Sequence, residues 1–147
     1  MAGTTAAAGT PEVFLSFASE DLPLAQQVFS FLQNSGRKVF FSSESLRQAN
    51  FGDAIDDALK SAKSLVVIGT ETERFYKPWV RYEWQSFHND ILAGRKPWKT
   101  PLVTLAAKPD HDSLPRPLVF REVVACDPTS PVSSLNKVHD LLGQLPQ

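Results

Sequence analysis

The chain has one cysteine, Cys126, so it cannot form an internal disulfide, and a zinc site would depend on three dispersed histidines, His88, His111 and His139. Neither charge is in excess. Lys and Arg number 15 against 16 Asp and Glu, which argues against a general nucleic-acid binder with its basic stripe. No apolar run comes near the roughly 20 residues that a membrane-spanning helix needs; the aliphatics Leu65–Ile68 are only strand-sized. Segment 1–10 is rich in Ala, Thr and Gly, with neither a basic start nor an apolar stretch, so it reads as a flexible leader and not a secretory signal. These absences predict one cytoplasmic domain over residues 11–145 with no metal, no membrane contact and no direct contact with nucleic acid.

What is present alternates between two periods. Val13–Phe17, Lys38–Phe41, Ser64–Ile68, Pro101–Leu105 and Glu122–Cys126 are short apolar runs of strand length. Between the first two, Leu24, Ala25, Val28, Phe29 and Leu32 recur at helical spacing. Ser19, Glu20 and Asp21 mark the helix start, and Gly36 its end. Ile55, Ala58, Leu59 and Ala62 mark a second helix, Pro78 to Leu92 a third ended by Gly94, and Val132 to Leu142 a closing one. Glu71–Lys77 and the proline-rich Lys108–Pro117 read as loops. Strands and helices in this alternation predict an α/β fold: a flavodoxin-like five-stranded parallel sheet with helices on both faces. Ligands in such sheets sit at the carboxyl ends of the strands, here after Phe17, Phe41 and Ile68.

Several chemistries that use this architecture are missing. The turn after the first strand, Ala18-Ser19-Glu20-Asp21, has no glycine for a dinucleotide phosphate, and the chain holds neither a GxxxxGK[ST] loop nor a GxSxG elbow. The third strand ends in Gly69-Thr70, not in a phospho-acceptor aspartate. Cys126 reads as a small buried residue.

One segment stands out, Lys77-Pro78-Trp79-Val80-Arg81-Tyr82-Glu83-Trp84-Gln85. Trp79 and Glu83 lie four apart, on one side of a helix. A carboxylate beside an indole at a ligand-binding edge suits contact with a sugar on which positive charge develops. The plainer alternative packs Trp79 on the sheet and leaves Glu83 a solvated glutamate paired with Arg81 or Lys77, and spacing alone favours that alternative.

In order along the chain, VFLSF at 13–17, the turn ASED, the loop SESLRQANF at 43–51, the strand SLVVIG and the WxxxE pattern at 79–83 together resemble a TIR (Toll/interleukin-1 receptor) domain. The likeness spans about Pro11 to Leu145 and is nearest to the NAD-cleaving prokaryotic and animal members. It implies the TIR fold and an NAD+ glycohydrolase that yields nicotinamide and ADP-ribose or a cyclic ADP-ribose product. NAD+ would be the substrate, with no cofactor. Glu83 would be the catalytic glutamate and Trp79 part of its wall. Phe17 would line the nucleotide pocket, and Phe51 would close it from the so-called BB loop, with Leu46 beside it. Ala18 would also lie against the substrate, although Ala18 and Ser19 stand where some members carry basic residues, and Ala49-Asn50 where the loop usually has a glycine. The resemblance also implies self-association with other TIR protomers, a sensor or regulatory unit outside this chain, and a setting in antiviral defence or cell death. Its alternative is a non-enzymatic signalling module that assembles through the BB loop.

Overall fold

The computed structural model describes residues 12–42 and 52–143. The expected leader and the loop 43–51, with Leu46 and Phe51, lie outside the described residues. The elements run β1 (Val13–Phe17), α1 (Leu22–Asn34), β2 (Val39–Ser42), α2 (Gly52–Ser61), β3 (Ser64–Gly69), α3 (Pro78–Leu92), β4 (Leu102–Ala106), a single turn α4 (Arg116–Val119), β5 (Glu122–Ala125) and α5 (Val132–Leu142).

All neighbouring strands are parallel, in the order β2-β1-β3-β4-β5. Val13 is in register with Val39 on one side and Ser64 on the other, and Leu65 with Leu102. Every residue of β1, β3 and β4 is buried, because helices cover both faces of these central strands; at the edge, β5 keeps only Val124 buried.

Strand alternation sorts the core into two layers. Val13, Leu15, Phe17, Val66 and Ile68 face α1 and α5 through Leu24, Val28, Leu32, Leu135 and Val138. Phe14, Ala18, Leu65 and Val67 face α2 and α3 through Ile55, Leu59, Val80, Trp84 and Phe87. At the amino end of the sheet, buried Arg37 ties α5 down: it pairs with Glu12 and donates to the Gly143 carbonyl and, at 3.1 Å, to His139 Nδ1.

Four local expectations change. Ser19–Asp21 is a 3-10 turn, and the α-helix begins only at Leu22, with Pro23 in its first turn. Asp21 is no solvated dipole partner, because its side chain is buried against β3. The loop before α3 holds a 3-10 turn, Thr72–Tyr76, which sets Phe75 into the core, and the segment 108–117 ends by entering α4.

Candidate active site

In this strand order the direction in which successive strands are added reverses between β1 and β3, so the crevice at their carboxyl ends is where a ligand is expected. Two connections meet there: the turn after β1 and the segment between β3 and α3. They are joined by polar contacts. Thr70 donates to the Asp21 carboxylate through Oγ1 at 2.5 Å and through its backbone N–H at 3.3 Å. Arg74 Nε lies 3.8 Å from the same carboxylate, and Lys77 Nζ donates to Glu20 at 2.9 Å. The Lys77 ammonium holds the Glu20 carboxyl below the usual carboxylate range. Lys108 does the same for Glu71, donating to both oxygens at 2.8 Å. Gly69 ends β3 because nothing larger fits: a Cβ there would stand 2.5 Å from the Phe75 ring.

Helix α3 starts at this edge with Pro78 at its first position, and its sheet-facing row is Val80, Glu83, Trp84, Phe87 and Ile91. Spacing of three and four makes this one face, and four of the five members are apolar. The fifth is a carboxyl group with 0% exposure. Burying such a group costs free energy unless hydrogen bonds offset it. Ser16, also fully buried, donates from Oγ to Glu83 Oε1 at 2.7 Å. Alternation along β1 puts Ser16 on this face, between Phe14 and Ala18. Trp84 next to Glu83 is fixed separately, its Nε1 donating to the Phe75 carbonyl at 2.8 Å.

The start of α3, one turn before Glu83, is open to solvent. Ala18, Ser19, Glu20, Lys77, Trp79 and Val80 line a recess of about 210 Å³. A second recess, of about 420 Å³, has Asp56, Pro78, Trp79 and Tyr82 in its wall. Trp79 is shared by both; it is 44% exposed, and its ring meets Tyr82 edge-on at 5.8 Å. The Tyr82 hydroxyl donates to Asp56 at 2.8 Å, and that bond, with burial, pushes the phenol pKa up.

The family model described as TIR domain matches residues 13–138, almost the whole described chain. The chain belongs to the TIR domain family. No curated protein matches it. TIR domains commonly self-associate, and their family includes enzymes that cleave NAD. Among the described residues of this TIR domain, no group of three or more His, Cys, Asp and Glu could hold a metal ion, and no helix is long and apolar enough to cross a membrane.

The TIR fold brings some of the expected site residues together and separates others. Ala18 and Trp79 line one recess; Glu83, one helical turn further along α3, is buried and lines neither recess. Trp79 does not share Glu83's burial. It stands in the first turn of α3, where both recesses open, and is 44% exposed while Val80 beside it is buried. Phe17 falls on the opposite face from Ser16 and Glu83; it is 1% exposed and packs on Phe41 at 4.8 Å. The solvated-glutamate alternative is overturned, since Glu83 is buried, Arg81 is exposed and Lys77 is bonded to Glu20. Sequence reasoning missed Ser16. Its signal was available: one hydroxyl inside a five-residue strand with no other polar side chain. It also missed the Asp21–Thr70 tie, because an acid beside a helix start and a threonine after a strand each have an ordinary local explanation.

Proposed function

We propose that this TIR domain is an NAD+ glycohydrolase in which Glu83 acts on the nicotinamide-bearing ribose. The observation that carries the reading is Glu83 itself: a carboxyl group kept in an apolar helix face, at the switch point of the sheet, and held by the Ser16 hydroxyl at 2.7 Å. A residue with only a packing role would not need to be acidic there. The chemistry asks little more of the protein. Nicotinamide in NAD+ carries the positive charge, so when the bond from the anomeric carbon to its nitrogen breaks, the electron pair leaves with a neutral base and no general acid is required. Positive charge builds on the ribose in an oxocarbenium-like transition state. A carboxylate that accepts hydrogen bonds from ribose hydroxyls both orients the sugar and stabilises that charge. Water then adds through oxygen and loses a proton, giving ADP-ribose; a second nucleophile of the substrate in place of water gives a cyclic product. Trp79 and Ala18 line a recess at the start of the helix that carries Glu83, and in this reading Leu46 and Phe51 of the BB loop would complete the pocket. Activity would depend on clustering with other TIR protomers, in a cytoplasmic antiviral or cell-death setting.

One observation favours a second reading, a non-enzymatic module that assembles through its BB loop: Glu83 has no exposed surface, as suits a polar tie between α3 and β1. Nicotinamide release from NAD+, measured at high protein concentration or with a crowding agent, separates the two. The enzyme reading expects turnover that Glu83→Gln abolishes while the fold survives. The module reading expects no turnover in either chain. Release of base from simple nucleosides, run alongside, tests whether NAD+ is the preferred N-glycoside.

A further inference from the structure

At the end of the sheet away from Glu83, the C-terminal ends of α2 and α3 meet the start of the chain leading into β4. Between them is a recess of about 490 Å³, in the size range of small-molecule sites. Five cationic residues line it: Lys60, Lys63, Arg95, Lys96 and Lys99. Among the described residues, no acidic one does. One carboxylate reaches the group, Asp90, which accepts from Arg95 Nε at 2.8 Å. The concentration stands out in a chain whose formal net charge is −1 and in which several other cations near the strand ends are matched, Arg37 with Glu12, Lys77 with Glu20 and Lys108 with Glu71.

Structural duties account for part of the cluster. Lys60 in the last turn of α2 and Arg95 just beyond α3 complement the negative helix ends. Lys96 is 7% exposed, donates from Nζ to the carbonyls of Lys60 at 2.8 Å and Ala62 at 2.7 Å, and lies 4.7 Å from the centre of the Phe87 ring. It closes the end of α2 and puts a fixed positive charge at the floor. Lys63 and Lys99 have no such duty: both are exposed, and neither has an ion-pair partner among the described residues. Each adds its charge to a field already positive, an arrangement that an anion would stabilise. Lysine ammonium groups suit phosphate as point charges, and Ala62, Pro97 and the lysine stems add an apolar wall.

We propose that this recess binds a phosphate-bearing small molecule, with Lys63 and Lys99 contacting its phosphates over the Lys96 floor. Calorimetric titration with inorganic tripolyphosphate, and separately with ATP, tests it and distinguishes a bare polyphosphate from a nucleotide that also uses the apolar wall. The wild-type chain should bind at least one of the two saturably, more weakly as salt rises from about 0.05 to 0.15 M. A Lys63→Ala/Lys99→Ala double variant should bind roughly tenfold more weakly or worse, while Lys137→Ala on α5 should bind as wild type does. Melting curves check that both variants are folded. Three results each overturn the proposal: no saturable binding of either probe, binding unchanged in the double variant, or an equal loss in Lys137→Ala, which would mean diffuse attraction. Binding of an oligonucleotide but of neither small probe would also overturn it. Neither lysine belongs to the candidate active site, so failure here leaves the NAD+ reading untouched.

Discussion

Replacing Ser16 with alanine removes one oxygen atom from the core and, with it, the 2.7 Å hydrogen bond to Glu83. Both residues have no exposed surface, so water cannot take the place of the lost donor without opening the structure. A buried acceptor that loses its donor costs roughly 1–3 kcal/mol. The alanine methyl is apolar and nearly the same size, so little cavity cost is added. For a domain of this length each kcal/mol moves the melting temperature by about 2–4 °C, which gives an expected loss of about 2–12 °C for Ser16→Ala. Urea titration and thermal melting followed by circular dichroism measure it. The contrast lies in the background: with Glu83 already changed to leucine, Ser16→Ala should cost almost nothing, since the serine then has no carboxylate to meet. A loss below about 0.5 kcal/mol in the wild-type background, or the same loss in both, would refute the claim that this hydroxyl offsets Glu83's burial.

Two more outcomes follow from the same region and from the far edge of α3. Gly69→Ala should destabilise the domain by about 1–3 kcal/mol, because the new methyl group would sit 2.5 to 3.0 Å from three atoms of the Phe75 ring, which is itself 1% exposed and has nowhere to turn; a melting temperature equal to wild type would contradict the contact. His88 has its imidazole pKa held below the ordinary value of 6.5 by burial and then by the Arg121 charge. The unfolded chain therefore takes up the proton first as pH falls, so this contribution to stability is complete above about pH 6.5 and is lost as pH drops toward the lowered value. NMR titration should find the low pKa and an upward shift in Arg121→Gln, and the difference in melting temperature between wild type and His88→Phe should vary with pH in that window. A titration midpoint at or above the ordinary value would contradict it.

The fold was legible because its signals are local and repeated. Uncharged runs such as Val13–Phe17 and Leu65–Ile68 belong to strands buried on both faces, and the Pro78-to-Gly94 helix carries its own start and stop. The segment before α3 was harder, since the Thr72–Tyr76 turn depends on where Phe75 packs, and packing partners distant in sequence leave no local trace. The candidate site was legible in the identity of Glu83 and not in its surroundings. Helical spacing cannot distinguish a glutamate facing water from one facing the sheet when arginine, tyrosine and two tryptophans share its turns. Its partner Ser16 is 67 positions away, so the contact exists only once β1 and α3 are packed together. Phe17 illustrates the opposite difficulty: strand alternation sets its face one residue apart from Ser16, a distinction that a motif match does not carry.

The most direct test of the central claim is product analysis of NAD+ incubated at high protein concentration with the wild-type domain and, beside it, with Glu83→Gln shown by melting to be folded. The account predicts nicotinamide together with ADP-ribose or its cyclic form from the wild type, and a loss of at least about a hundredfold in the variant, as expected when charge stabilisation of the transition state is removed. Equal nicotinamide release by the two folded chains would contradict it.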